Sequence, residues 1–118
     1  MKTPSMPLEP GEQVRESWLA NHTQHSQRAT GGRLYLTDRR LVFEPNAVDR
    51  ALAGRALAVP LTDVADVGRT PVDLRHFFGG GIRRRLAVRL TGGSQLLFVV
   101  NGANAKIATI QDAVAAAT

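Results

Sequence analysis

Few residues of this chain have the types and spacing that catalysis requires. Asp63 and Asp66 are the best candidate pair of carboxylates, but neither lies in an apolar setting that would raise its pKa for acid–base catalysis. A turn between two strands accounts for Asp63, and Asp66 fits a surface position. The serines lie in turns and tails outside any Gly-x-Ser-x-Gly pattern, and His76 has no obvious nucleophile partner. We therefore expect a protein that is not an enzyme.

Metal and cofactor sites have little support in the sequence. His22 and His25 stand three residues apart, but without a carboxylate or cysteine nearby they make an incomplete metal site. On a polar loop such histidines are usually solvated. The glycines Gly79–Gly81 lack the spacing and the lysine of a phosphate-binding loop. We expect no metal and no cofactor.

Size and charge limit the function further. The 118 residues fit a single domain of ordinary composition, 43% hydrophobic and 21% charged. No cysteine is present, which excludes disulfides and thiol catalysis and is compatible with a reducing cytoplasm. The net charge of +5 favours anionic partners, namely a membrane surface, an acidic protein or nucleic acid. Arginine-rich genome composition and solubility explain the same charge equally well.

The apolar runs are short. The longest, Leu96–Val100, falls far below the ~20 residues that a membrane-spanning helix needs. The N-terminal residues contain no hydrophobic stretch typical of a signal peptide. We therefore expect a cytoplasmic protein that is at most peripheral, at the inner face of the membrane.

The clearest structural pattern lies in the stretch Gly31–Pro45. Its first half, Arg33–Thr37, has the alternation of a half-buried strand. Thr37 and Asp38 can bond to nearby backbone amides, which favours a turn. A second strand follows and ends at Pro45, because proline has no N–H to donate to a ladder. This stretch predicts a β-hairpin.

Alternating and helical patterns divide the remainder of the chain. Residues 1–10 are expected to form a flexible lead-in, and residues 11–118 one folded domain. A polar connection is expected at Asn21–Gly32. Trp18 is expected in the core, with an exposed position at a lipid interface as the alternative. The predicted elements, besides the hairpin, are the strands Glu12–Gln24, Leu57–Leu61, Val64–Arg69, Ile82–Thr91 and Gln95–Val100 and the helix Ala103–Ala117.

The last strand and the helix decide the fold class. Gln95–Val100 is apolar on both faces and must be covered on both. The helix Ala103–Ala117 can cover it, because Ile107, Ile110 and Val114 recur at helical spacing. The patterns predict a mainly β domain of about seven antiparallel strands, curled into a split barrel and capped by one C-terminal α-helix.

Three segments carry a resemblance to a known family. They are Leu8–Glu12, the run Leu34–Phe43, which reads LYLTDRRLVF, and Val59–Val67. In this order they resemble the lead-in, the core motif and a later strand pair of bacterial GRAM domains, a branch of the pleckstrin-homology-like superfold. The resemblance implies a split β-barrel and a non-enzymatic binding or recruitment role. The first loop, which grips inositol phosphates through lysine and arginine in lipid-binding relatives, is here mostly glutamine, serine and threonine. This departure argues against phosphoinositide recognition.

Two binding hypotheses follow. In the first, an arginine stripe formed by Arg83, Arg85 and Arg89 contacts an anionic membrane surface, assisted by Arg75 and by a loop with Phe77 and Phe78. The same alternation of arginines also fits a plain solvated strand face. The candidate residues are Arg75, Phe77, Phe78, Arg83, Arg85 and Arg89.

In the second hypothesis, a protein partner or a second copy of the chain binds at a sheet edge and at the C-terminal helix. The candidate residues are Leu57, Val59, Leu61, Ala103 and Lys106. Nucleic acid is disfavoured, because the basic residues lack interleaved exposed aromatics and no recognition helix is basic. We expect a module that binds a protein or an anionic membrane surface, with a self-assembling scaffold as the alternative.

Overall fold

The computed structural model describes residues 3–25, 28–46, 56–70 and 85–117. Within them lie seven strands, a short 3-10 turn and one helix. In chain order these are β1 (Val14–His25), β2 (Arg28–Thr37), β3 (Arg40–Pro45), β4 (Leu57–Pro60), the 3-10 turn Leu61–Asp63, β5 (Val64–Thr70), β6 (Arg85–Leu90), β7 (Gln95–Val99) and α1 (Ala103–Ala117). The strands form one antiparallel sheet in the order β4-β3-β2-β1-β7-β6-β5, which confirms the predicted fold class.

The first strand belongs to both halves of this sheet. β1 pairs with β2 along its whole length, from Val14 to His25, but with β7 only from Asn21 to Thr23. The strands β2, β3 and β4 therefore extend the sheet on one side of β1, and β7, β6 and β5 extend it on the other. Between Val14 and Ala20, no described strand pairs with the second edge of β1. The barrel is split at this place.

A ring contact in the interior shows how strongly the sheet curls. The ring centroids of Phe43 on β3 and Phe98 on β7 lie 5.8 Å apart. Two strands separate β3 from β7 in the sheet, so a flat sheet would hold them about 14 Å apart. The contact therefore requires a curved sheet that encloses the core. Other buried residues of this core are Leu34, Leu36, Leu41, Leu61, Leu86, Val88 and Ile110.

The predicted hairpin is confirmed by β2 and β3. Leu34 pairs with Phe43 and Leu36 with Leu41, and all four side chains are buried. β3 ends at Pro45, as its missing N–H predicts. The alternation in the sequence therefore sets both the register and the buried face of this pair.

The strand predicted at Glu12–Gln24 is confirmed by β1, whereas the overlapping polar connection predicted at Asn21–Gly32 is wrong. β1 continues to His25, β2 begins at Arg28, and the two strands remain paired, with His22 opposite Thr30. Backbone groups make this ladder, and every residue except proline carries them. Alternation of side chains reveals a strand only where one face is buried, so a polar pair of strands gives no such signal.

The predicted helix is confirmed over Ala103–Ala117. Ile107 and Ile110 are buried, and Val114 packs partly against the core. α1 packs on β5, on the 3-10 turn and on β6, and the Gln111 Nε2 donates to the Val67 carbonyl oxygen at 2.8 Å. Among the described residues, no helix is long and apolar enough to cross a membrane.

Gly32 is the residue of β2 that a side chain would disturb most. A Cβ at this position would lie 2.1 Å from the Glu44 carbonyl oxygen and 2.7 Å from the Pro45 Cα. We expect Gly32→Ala to lower the free energy of unfolding by about 1–3 kcal/mol, because backbone must move to relieve the overlap. Chemical denaturation followed by circular dichroism measures this change.

Gly68→Ala is the matched control for that substitution. Gly68 also lies within a strand, but a Cβ there would meet nothing within 4 Å. Its replacement should leave stability unchanged or raise it slightly. Equal losses for both variants would contradict a role for close approach at Gly32.

Candidate functional site

The turn between β2 and β3 holds a buried carboxylate. The Glu12 side chain has no exposed surface and is paired with Arg40. The Arg40 Nε donates to one carboxylate oxygen at 2.9 Å and Nη2 to the other at 2.7 Å, which is a bidentate geometry. The Thr37 hydroxyl donates a third bond to the carboxylate at 2.6 Å. These bonds tie the start of β1 to the hairpin.

Thr37 and Asp38 fix the backbone around this carboxylate. The Thr37 Oγ1 accepts hydrogen bonds from the amides of Arg39 and Arg40, at 3.0 and 2.8 Å, which confirms the predicted turn chemistry. The Asp38 carboxylate instead accepts from the Gln13 amide at 3.0 Å, and the Asp38 amide donates back to the Gln13 carbonyl oxygen at 3.0 Å. The residues Thr37–Arg40 therefore hold the segment before β1 against the hairpin.

Electrostatics keep this carboxylate ionised. Hydrogen bonds, first from Arg40 and then from Thr37, lower the pKa of Glu12 from 4.5 to about 2, although burial acts in the opposite direction. Both carboxylate oxygens are occupied by donors. A carboxylate with these partners is not available as a proton donor or acceptor near neutral pH.

A tight turn brings the preceding residues back toward the sheet. The Glu12 amide donates to the Glu9 carbonyl oxygen at 2.9 Å, with Pro10 and Gly11 at the central positions. Gly11 has a φ of 81°, as the third residue of a type II turn requires. The EPGE segment therefore reverses the chain just before β1.

The segment before this turn lies on the outer face of β3. The Glu44 carboxylate accepts from the amides of Ser5 and Met6, at 2.8 and 2.9 Å. The Arg40 Nη1 lies 3.4 Å from the Met6 sulfur. Arg40 and Glu44 flank Val42 on one face of the strand, so Met6 lies across Val42, which is fully buried. The domain boundary at residue 10 stays a prediction, and these contacts argue for an earlier one.

Only part of the predicted anionic-surface site lies within the described residues. Arg75, Phe77, Phe78 and Arg83 lie outside them. Arg85 begins β6, opposite Thr70 on β5, and Arg89 lies four residues later on the same strand. The Arg89 Nη1 lies 3.7 Å from an Asp66 oxygen, and both side chains are about 60% exposed. Such an exposed pair contributes little stability and leaves Arg89 accessible.

The predicted protein-interaction residues are mostly not surface residues. Val59 and Leu61 are buried in the core, and Leu57 is half-buried and packs partly against it. The apolar residues of the β4 region face inward, and Pro60 and Ala58 are the exposed ones. Their alternation is the ordinary pattern of a half-buried strand.

Ala103 and Lys106 are half-buried at the start of α1. The Lys106 ammonium donates to the Asn101 carbonyl oxygen and lies 5.8 Å from the centre of the Trp18 ring. Trp18 packs partly against the core, as predicted, and the Lys106 ammonium lies over its ring. Lys106 therefore has an internal role in joining α1 to β1.

A cavity at the split of the barrel was not foreseen from the sequence. It has a volume of about 490 Å³ and lies where β7 leaves β1. Leu19, at its edge, is 72% exposed and is the large apolar residue that the described part of the chain exposes most. The cavity is lined by Leu19–Asn21, Gly31–Arg33, Glu44–Asn46 and Val99–Asn101. No sequence signal shows that β7 pairs with only a short part of β1.

No cluster of three potential metal ligands occurs among histidine, aspartate and glutamate residues in the described ranges. Asp63 and Asp66 are both exposed there, which fits their predicted surface positions. The buried Glu12 carboxylate is engaged in holding the chain.

Replacing Glu12 tests the importance of the buried pair. We expect Glu12→Gln to lower the free energy of unfolding by about 3 kcal/mol at neutral pH, because Arg40 loses its counter-charge. The folded-state pKa lies below the unfolded value, so the carboxylate stabilises the fold above pH 4.5 and loses this effect as the pH falls toward 2. Urea denaturation across this range should show the difference between the two proteins shrinking toward zero.

Glu9→Gln is the control for this prediction. Glu9 forms an exposed pair with Arg39 at 3.5 Å, so its replacement should cost less than about 1 kcal/mol. A loss at Glu9 as large as that at Glu12, or a Glu12 effect independent of pH, would contradict the assigned role of the buried carboxylate.

Comparisons with known proteins establish the architecture. No protein-family model and no curated protein matches this sequence, whereas solved structures match its fold. The C-terminal domain of an unknown protein from Leishmania infantum aligns with a TM-score of 0.69 and 11% identity, over 90% of this chain and 87% of that chain. The Vps36 N-terminal PH domain aligns with a TM-score of 0.65 and 19% identity, over 92% and 83%. The linker-DH/PH domains of p115-RhoGEF align with a TM-score of 0.68 and 12% identity, over 93% of this chain and 31% of that one. These identities support a conclusion about fold alone: the chain has a pleckstrin-homology-like fold.

Proposed function

We propose that this protein is a non-enzymatic binding and recruitment module of the GRAM type. The resemblance rests on separate segments, and two of them contact each other. Glu12 belongs to the lead-in segment, and Thr37 and Arg40 belong to the LYLTDRRLVF run. Each segment supplies the hydrogen-bond partners that the other one needs, and this contact supports assigning both segments to one family.

The distribution of charge carries the proposal about the partner. Residues 71–89 contain five arginines and one aspartate, so they account for four of the five net positive charges of the chain. This stretch leads from the end of β5 through β6, and Arg89 is exposed there. Positive charge concentrated in this stretch of sequence would attract an anionic partner, either an anionic membrane or an acidic face of another protein. Peripheral attachment at the inner face of a cell membrane is the location that this proposal implies.

The expected strength of membrane association is modest. Each basic residue near an anionic membrane contributes about 1 kcal/mol, so Arg83, Arg85 and Arg89 together give about a hundredfold enrichment. Insertion of Phe77 or Phe78 would add about 2 kcal/mol for a fully buried ring. Reversible association that weakens with salt follows from these magnitudes.

Self-assembly is the second candidate function. The outer face of α1 exposes Ala105, Ala108 and Ala116, which permit close approach of another surface. Their spacing places them on one side of the helix. A module of this kind would form a defined oligomer that depends on protein concentration and largely survives loss of the arginines.

Flotation with liposomes tests the first candidate. We expect the protein to float with anionic vesicles at low salt, to remain unbound with neutral vesicles, and to detach at high salt. The triple substitution Arg83→Ala, Arg85→Ala and Arg89→Ala should abolish binding. Substitution of Arg15 and Arg69 by alanine, two exposed arginines outside the stripe, serves as the control.

Light scattering on the same samples decides between the candidates. No flotation under any condition would rule out membrane recruitment, and a defined oligomer would then favour self-assembly. Equal loss of flotation in the triple variant and in the control variant would show that general charge, and not the stripe, is responsible.

A further inference from the structure

The described sheet has three edge segments that lack a strand neighbour. These are the outer edge of β4, the outer edge of β5 and the first half of β1, from Val14 to Ala20. A strand edge offers unpaired N–H and C=O groups to any extended chain that approaches it. The three segments differ in how far the structure protects them.

The edges of β4 and β5 are both protected. β4 is four residues long and ends in Pro60, which has no N–H to offer. At β5, the Val67 carbonyl accepts from Gln111, and α1 packs along the strand. Short length, proline and coverage by a helix are the usual ways in which a protein prevents a further strand from pairing with an edge. Neither strand suits the addition of another chain.

The register shows which groups of β1 point to its open edge. The Asn46 amide donates to the Gly31 carbonyl oxygen at 2.9 Å, so the peptide groups of Gly31 point toward β3. Its partner Asn21 therefore points away from β2, toward β7. The β1–β2 register is unbroken from Glu16 to Thr23. Leu19 and Ser17, two and four residues before Asn21, hence direct their N–H and C=O groups to the same side, where no described strand lies.

Side chains beside this edge offer apolar surface and positive charge. Leu19 is 72% exposed and borders the cavity at the split. Arg33 lies opposite Leu19, and its Nη1 donates a long hydrogen bond to the Ser17 hydroxyl at 3.5 Å. The neighbouring carboxylate of Glu44 is already occupied by the amides of Ser5 and Met6. Arg15 and Glu16 are both exposed at the start of the same strand, so together they add no net charge beside the edge.

We propose that the open edge of β1 at Ser17 and Leu19 is a strand-addition site for an extended acidic segment of a partner protein. Main-chain hydrogen bonds to Ser17 and Leu19 would supply affinity. An apolar side chain of the segment would lie beside Leu19 in the cavity, and a carboxylate of the segment would pair with Arg33. This inference rests on the proposed binding role, and it names the class of partner and the site.

Nuclear magnetic resonance titration of the full chain tests the site. The probe is a short peptide that alternates glutamate with valine, and the matched control alternates lysine with valine. We expect the acidic peptide to shift the amide signals of Ser17 and Leu19 in a saturable way. The lysine peptide should leave them unchanged, because its charges repel Arg33.

Three variants locate the interaction. Ser17→Pro removes an outward N–H without removing a bond to β2, and should weaken binding of the acidic peptide at least about tenfold. Arg33→Gln should weaken it by about tenfold. Arg89→Gln, on β6 beside Asp66, should not change it. If Ser17→Pro does not fold, Leu19→Ser, which removes only an exposed apolar side chain, tests the same edge.

Several results would overturn the proposal. These are unchanged β1 signals at about 1 mM acidic peptide, equal binding of the lysine peptide, and shifts confined to residues outside β1. A dimer in light scattering that Ser17→Pro abolishes would assign the edge to a second copy of the chain instead. Vesicle binding through the arginine stripe without peptide binding would overturn this inference alone. Peptide binding without vesicle binding would support the site while excluding membrane recruitment.

Discussion

The buried ion pair between Glu12 and Arg40 determines how the chain enters the sheet. A carboxylate with no exposed surface is stable only when its oxygens are fully bonded, and Arg40 and Thr37 supply the donors. The pair fixes the beginning of β1 against the β2–β3 hairpin. The turn at Pro10 and Gly11 then directs the preceding segment along the outer face of β3. The position of β1, which both halves of the sheet share, depends on this contact.

The hairpin motif serves the architecture of the domain, and three of its polar side chains are not free to recognise a partner. The run that carries most of the resemblance to GRAM domains is engaged in internal contacts through Thr37, Asp38 and Arg40. These three side chains are therefore committed to the fold, and a partner would bind at other surfaces. The described surfaces that differ from an ordinary solvated face are the open edge of β1, with exposed Leu19, and the cavity beside it. A shared fold can in this way carry different partners at different sites.

Local patterns predicted the elements whose two faces differ in burial. Alternation at Leu34 and Leu36 located the hairpin, and helical spacing at Ile107 and Ile110 located α1. β1 was predicted as the strand Glu12–Gln24, whereas the polar start of β2 was assigned to a connection because it shows no alternation. Val59 and Leu61 were assigned to a surface, although they are core residues, because an edge strand still buries one face. The burial of Glu12 depends on Arg40, which is distant in sequence, and no local pattern reveals such a pair.

The narrow joint between β1 and β7 has a consequence for the cooperativity of the fold. Three residue pairs, at Asn21, His22 and Thr23, connect the two halves of the sheet through backbone bonds. Within the described residues, the other strong link across the interior is side-chain packing, such as that of Phe43 on Phe98. Sub-global opening would therefore separate β5–β7 and α1 from β1–β4 as two units, with the interior packing as the main resistance. A segment added along the edge of β1 would lie beside this joint and strengthen the weaker connection of the domain.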